Sequence, residues 1–278
     1  MKKAIFTGVF LIGILTVVWS SIFAFAQNPG PSVTGGALLA PAQTPTFAAA
    51  SAEYTGIPQI VISDATSGAP CTSYLVYNTT GASSGGNLTG TTTGTSVGIS
   101  ATTTIYAQVQ SCPGHTNSPI ATSSQYIVYG LAAVGGGTTD EIPGYILCSG
   151  ITTGANASGY TLVAFSKYAQ NNSIAGNLVS AIYTQGTGAQ TKVIDGGSHP
   201  IGYTGTAQWL TMTYGGTLLW STDYSICIQV STIINIWQGS SGTFYYASPY
   251  SYVDFPSSVT FGGSSANAFS EYIVVTAN

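Results

Sequence analysis

From Thr46 onward the chain settles into short apolar or alternating runs separated by clusters of turn residues. "QIVIS", "SYLVYN", "TTIYAQVQ" and "SQYIVYG" have strand length, and "SDATSG", "TTGASSGGN" and "SCPGHTNSP" between them carry turn chemistry. The pattern resumes after residue 141 in "GYILCSG", "TLVAFSKYAQ", "NLVSAIYTQ", "QWLTMTYGG", "DYSICIQVS", "INIWQG" and "EYIVVTA". No amphipathic helical period of useful length occurs in these residues, so the pattern predicts an all-β chain of closely spaced strands, a sandwich or barrel. "DYSICIQVS" also assigns faces. Side chains alternate along a strand, so Tyr224, Ile226, Ile228 and Val230 face the core and Cys227 points away from it.

Breaks in the pattern divide the chain. Residues 27–42 are rich in Pro, Gly and Ala without a period and read as a flexible lead-in. "LAAVGGGTTDE", residues 131–141, contains three consecutive glycines and reads as a linker between units at 43–130 and 142–278. "FYYASPYSYVDFPSS", residues 244–258, departs differently, with six rings in the twelve residues from Phe244 to Phe255. Pro249 and Pro256 are incompatible with one uninterrupted central strand. The expectation is a short strand, Phe244–Ala247, and then a loop whose inward rings seal an open end of the core.

Composition changes the picture in three ways. Lys2 and Lys3 precede an apolar run from Ala4 to Ala26 that closes on Ala24-Phe25-Ala26, the layout of a secretory signal peptide over 1–26, with the mature chain starting at Gln27. The same run exceeds the roughly 20 residues a bilayer span needs and would serve uncleaved as an anchor; the A-x-A ending favours removal, which leaves no membrane segment. Beyond the leader, Lys167 and Lys192 stand against eight Asp and Glu, and there is no Arg. Phosphate backbones are bound by clustered cations, so nucleic acid is not an expected partner. Solubility must come from Ser, Thr, Asn and Gln, which suits an extracellular protein, a virion part or a filament subunit. Finally, Cys71, Cys112, Cys148 and Cys227 in an exported chain predict disulfides. No two are near neighbours of the kind zinc sites use, so no metal is expected from them. The division at 131–141 favours Cys71–Cys112 and Cys148–Cys227 among the three pairings, each bridge then lying within one domain.

"TPTFAAASAEYTGIPQIVISDATSGAPCTSYLVYNTTG" and "VGISATTTIYAQVQSCPGHTNSPIATSSQYIV" together resemble the chitobiase/β-hexosaminidase C-terminal-type module, over about residues 43–129. Where members of that family often read "YTTDGSTP", this chain has "YNTTGASSGGN" and lacks the Asp and the Pro. "NLVSAIYTQ", "WLTMTYGGTLLWSTDYSICIQV" and "FYYASPYSYVDFPSSVTFGGSSANAFSEYIVV" resemble a jelly-roll module of secreted and phage-associated proteins, over about 144–276. The resemblances imply an immunoglobulin-like β-sandwich followed by a jelly-roll β-sandwich, in an extracellular setting and with no established catalytic activity.

The residue types offer little for catalysis. A Ser-His-Asp arrangement needs a histidine held by an acid, and His115 and His199 both stand in turn-like sequence, "CPGHTN" and "GGSHPIG", where they read as exposed. Glycoside hydrolysis needs two carboxyls flanking a cleft; Asp195, Asp223, Asp254 and Glu271 are present, with nothing in their spacing to pair them. Asp140-Glu141 reads as a domain terminus, with an oxygen-rich calcium site as the alternative. The glycine stretches lack the Lys and following helix of a phosphate loop. The chain is therefore read as a non-enzyme without a cofactor. In a carbohydrate-binding or adhesive protein, exposed rings stack on sugar faces while amides and hydroxyls orient them. Trp237 and Gln238 at the end of "INIWQ", with Tyr246, Tyr250 and Tyr252, are the candidate residues for an extracellular polysaccharide or glycan. Trp209 and Trp220 lie in strand pattern and are expected to pack. The alternative is a self-associating structural subunit of an extracellular filament, a phage tail or a virion.

Overall fold

The computed structural model describes residues 39–51, 54–66, 71–81, 83–171, 175–185, 188–202, 205–240, 242–248, 250 and 255–278. The expected signal peptide, most of the lead-in, and Tyr252 lie outside the described residues. The N-terminal half lays down β1 Thr46–Ala49, β2 Tyr54–Thr55, β3 Gln59–Ser63, β4 Leu75–Asn78, β5 Ser83–Ser84, β6 Asn87–Leu88, β7 Thr92–Thr93, β8 Ser96–Gly98, β9 Tyr106–Val109, β10 Ala121–Thr122 and β11 Tyr126–Gly130. The C-terminal half adds β12 Gly137–Glu141, β13 Ile146–Thr152, β14 Tyr160–Gln170, β15 Gly176–Thr184, β16 Gln190–Ile201, β17 Gln208–Met212, β18 Thr217–Leu218 and β19 Asp223–Val230. It ends with β20 Ile234–Gln238, β21 Phe244–Ala247, β22 Ser258–Val259, β23 Gly263–Ser265 and β24 Glu271–Ala277. The fold is all-β, as the apolar periodicity predicts, and belongs to the β-sandwich and jelly-roll class.

In the N-terminal sandwich, β1-β3-β8 faces β10-β9-β4-β7. The C-terminal sandwich sets β11-β24-β14-β17-β2, with β12, β18 and β20 attached, against β22-β16-β15-β19-β13-β21-β23. Its core lies between these two large sheets, where Tyr224, Ile226, Ile228 and Val230 of β19 meet Phe165 and Leu162 of β14 and Ile273 of β24. The other face of β19 is buried as well. Cys227 is bonded to Cys148, its register partner on β13, and both pack with Val179, Ala181 and Tyr183 beneath Ala247, Phe255 and Val259. The aromatic segment therefore starts as the expected strand Phe244–Ala247, and of its later rings Tyr250 and Phe255 pack on the outer face of a sheet rather than at an open end of the core. The second bridge joins Cys71 to Cys112 beside Ala42 and Val109.

The two halves share more than a connection. β2 pairs with β17, and β11 pairs along its whole length with β24, so two N-terminal strands extend a C-terminal sheet. Tyr126 joins the N-terminal core while Ile127 and Tyr129 pack on the C-terminal one. From the other side, Tyr272 and Val274 enter the N-terminal core with Ile60, Ile62, Leu75 and Ile99, and the Tyr272 hydroxyl donates to Ile99 O at 3.0 Å.

The segment read as a linker carries β12, paired with β20 from Gly137↔Gln238 to Glu141↔Ile234. Its glycines allow close approach: a Cβ on Gly135 would stand 2.1 Å from Gln238 O. His199 is not an exposed turn residue; it lies buried in β16 and stacks on Tyr214 at 6.1 Å. Trp209 packs edge-on against Tyr272 as expected, whereas Trp220 stands at a turn with half its surface exposed.

Candidate functional site

Where β12 and β20 of one sheet approach β13 and β21 of the other, a cleft of about 400 Å³ opens. Its rings are Tyr145, Phe244, Tyr246 and Phe269. Tyr145 precedes β13 and is 36% exposed; Tyr246, on β21, is 40% exposed, enough surface for each to present a face to a ligand. Tyr246 rests on Gly263, its register partner, where a Cβ would stand 2.5 Å from the tyrosine hydroxyl. That glycine is what lets the ring lie down beside the strand. Phe244 then stacks towards the interior, 6.4 Å from Tyr246 and 4.9 Å from Phe269 between ring centroids.

Polar groups come from several elements: Thr139 and Asp140 from β12, Gln238 from the end of β20, and Ser265 and Asn267 from the segment leading into β24. Below them, Glu141 has no exposed surface, and neither carboxyl oxygen has a hydrogen-bond partner. Burial pushes Glu141 well above the ordinary carboxylate range; the Lys167 charge pulls it partly back and the Glu271 charge raises it further. Lys167 donates to Glu271 Oε2 at 3.0 Å, both side chains fully buried, with the Phe269 ring 4.2 Å from Nζ.

The five expected ligand-binding residues separate in space. Gln238 and Tyr246 line this cleft. Trp237 points to the opposite face of β20 and packs edge-on against Tyr168 at 5.2 Å, in a row that continues through Trp209 to Tyr272. Tyr250 packs on the outer face of the second large sheet, and Tyr252 falls outside the described residues. Tyr145, Asp140, Asn267 and the aromatic wall of Phe244 and Phe269 were not among the expected residues. Among the described residues no group of three or more His, Cys, Asp and Glu side chains is placed to hold a metal ion. No helix among them is long and apolar enough to cross a membrane.

Such a cleft has an apolar wall on one side and amide, hydroxyl and carboxylate groups on the other. It suits a mostly uncharged ligand with both an apolar face and many hydroxyls. No protein-family model matches the chain, and no curated protein matches it. Among solved structures it is similar to the structure of infectious bursal disease virus Gx strain, at 13% identity and a TM-score of 0.25, over 73% of this chain and 50% of that one. The chain thus spans half the length of that neighbour, and a likeness at this TM-score carries no argument about fold or function.

Proposed function

We propose that the chain is a secreted, non-catalytic surface protein that binds an extracellular polysaccharide through the cleft between Tyr145 and Tyr246. The observation carrying this reading is the pairing of two partly exposed tyrosines with Asp140, Gln238 and Asn267 around one cavity. Rings of this kind stack on the C–H faces of sugars while amides and carboxylates read hydroxyls. Two disulfides, Cys71–Cys112 and Cys148–Cys227, fit an oxidising compartment and so support export. The non-catalytic reading rests on the carboxyls. Asp140 is the one exposed carboxyl lining the cleft; Glu141 lines it with no exposed surface, and Glu271 does not line it. In this reading the N-terminal sandwich acts as an accessory module of the chitobiase C-terminal type.

A glycan array and affinity electrophoresis on the mature protein test the proposal. Tyr246→Ala and Tyr145→Ala should each weaken binding about tenfold, ~1.4 kcal/mol, with melting temperatures within a few degrees of wild type. Trp237→Ala, on the other face, should bind as wild type does. A wild type that retains no polysaccharide sinks the reading. The structural-subunit reading has one observation in its favour, the adjacent Leu219 and Trp220, 62% and 51% exposed, which could meet a second copy. Concentration-dependent assembly lost in Trp220→Ser would support it.

A further inference from the structure

Glu141, Lys167 and Glu271 lie inside the C-terminal sandwich with no exposed surface. Lys167 and Glu271 are register partners on β14 and β24, so the backbone ladder itself sets Nζ 3.0 Å from Oε2. A buried ion pair loses more in desolvation than attraction returns unless its remaining polar atoms are also met. Here they are not, since Glu271 Oε1 and both Glu141 oxygens lack any hydrogen-bond partner. Unsatisfied groups of this kind call for a chemical explanation. The proposed polysaccharide site does not use Lys167 or Glu271, because neither lines the cleft.

The surroundings suit one reaction. Burial lowers Lys167 from its ordinary value, against the opposing pull of Glu271 and Glu141, which favours the free amine that acts as a nucleophile. Burial raises Glu141 and so favours its protonated form, a carboxylic acid able to give a proton and take one back. We propose that Lys167 Nζ and Glu271 Cδ condense spontaneously to an intramolecular amide that crosslinks β14 and β24, with Glu141 carrying the proton.

The atoms balance without any co-reactant. The ammonium and carboxylate of the pair hold the same atoms as a free amine and a carboxylic acid, which is the reacting form. The amine lone pair attacks Cδ, forming the C–N bond and sending the carbonyl π electrons to oxygen. Glu141 gives its proton to the departing hydroxyl and recovers one from the nitrogen. The C–O bond breaks and one water leaves, with no change in net charge or oxidation state. In water, hydration of the two ions holds acid and amine apart; in this interior that hydration is absent, and the amide carries no charge to bury. Strand pairing supplies the proximity that a bimolecular reaction lacks. The product would tie the middle of one large sheet as Cys148–Cys227 ties the other, through a bond that reductants do not open.

Peptide mapping by mass spectrometry on the reduced, alkylated and denatured full-length protein tests this. Wild type should yield a branched peptide containing both Lys167 and Glu271, lighter by one water than the two pieces. Trypsin should cut after Lys192 and fail after Lys167, the two lysines beyond the leader. Lys167→Met keeps the apolar stem and removes the nucleophile, so it should give only unlinked peptides. Glu141→Gln should also give unlinked peptides, with cleavage after Lys167 restored. Unlinked Lys167 and Glu271 peptides from folded wild type overturn the crosslink without recourse to any variant. A linked peptide persisting in Glu141→Gln overturns the role of Glu141.

Discussion

At the scale of single residues, Glu141 has the largest consequence for how the protein responds to pH. Its folded-state value is raised by burial, so above the ordinary value of 4.5 the folded chain holds a proton that the unfolded chain has released. The stability it contributes is complete below 4.5 and is lost as pH rises through the raised value. Other shifted groups act in other windows. Lys167, lowered by burial, has the opposite sign, with a window that closes at 10.5, and it drops out once its nitrogen is in an amide. Tyr214, raised by burial, titrates far above neutrality and feels the charge of Glu271. Asp195 is held low by Lys192 and Gly197 despite its own partial burial, so it acts below 3.8. Thermal melts between pH 4.5 and 8 should show wild type losing several degrees, at about 2–4 °C per kcal/mol for a chain of this size. Glu141→Gln should show a flat profile. The slope is the readout, because loss of a crosslink would shift the level. Equal slopes for the two proteins would remove Glu141 as the titrating group.

Single residues also carry the weakest sequence signal. A polar residue at a strand end and a ring beside turn residues both imply accessible surface, and Gln238 and Tyr246 do line the cleft. The same logic does not place Trp237 in the cleft, because side chains alternate along a strand and its indole packs against Tyr168 on the other face of β20 from Gln238. Glu141, Lys167 and Glu271 carry no sequence signal of burial, because charged residues are almost never fully buried unless paired. Their pairing depends on register between strands 104 residues apart.

At the scale of elements, alternation locates "DYSICIQVS", while Phe244–Ala247 is located by its rings and by Pro249 and Pro256, which break the strand after it. Alternation misses β12. "GTTDE" has no apolar alternation, and "VGGG" before it looks like flexible chain. The three glycines are not equivalent in the fold. A Cβ at Gly135 would meet Gln238 O at 2.1 Å, whereas one at Gly136 would meet nothing within 4 Å. A flexible linker would tolerate alanine at both. Gly135→Ala should instead destabilise the protein by about 2 kcal/mol or more, the range of overpacking against fixed backbone. Gly136→Ala should stay within about 0.5 kcal/mol of wild type. Urea unfolding of the two variants separates the cases, and equal midpoints would return the segment to a linker. Because Gly135 N donates to Ser270 Oγ beside Glu271, its variant should also loosen the cleft.

At the scale of the whole molecule, the expected boundary at 131–141 becomes a question of cooperativity. Residues 40–278 cluster as one compact unit, with β2 and β11 embedded in a C-terminal sheet. Cutting after residue 130 would strip β11 from β24 and uncover Tyr272, Val274 and the half-buried Trp209 and Val163 on the outer face of that sheet. At about 1.5–3 kcal/mol for each large apolar side chain returned to water, the loss is comparable with the ~5–15 kcal/mol that stabilises a whole domain. The N-terminal fragment would fare no better, since its core is closed in part by Tyr272 and Val274. The mature chain should therefore unfold in one calorimetric transition, with equal calorimetric and van't Hoff enthalpies. Fragments 27–130 and 142–278 should each be insoluble, or should melt at least about 10 °C below the full chain. Two resolved transitions in the full chain, with the 142–278 fragment reproducing one of them unshifted, would show that the sandwiches are independent despite their shared strands. Polysaccharide binding should be lost from 142–278 in either case, because that fragment lacks Thr139 and Asp140 of the cleft, so binding assays require the full chain.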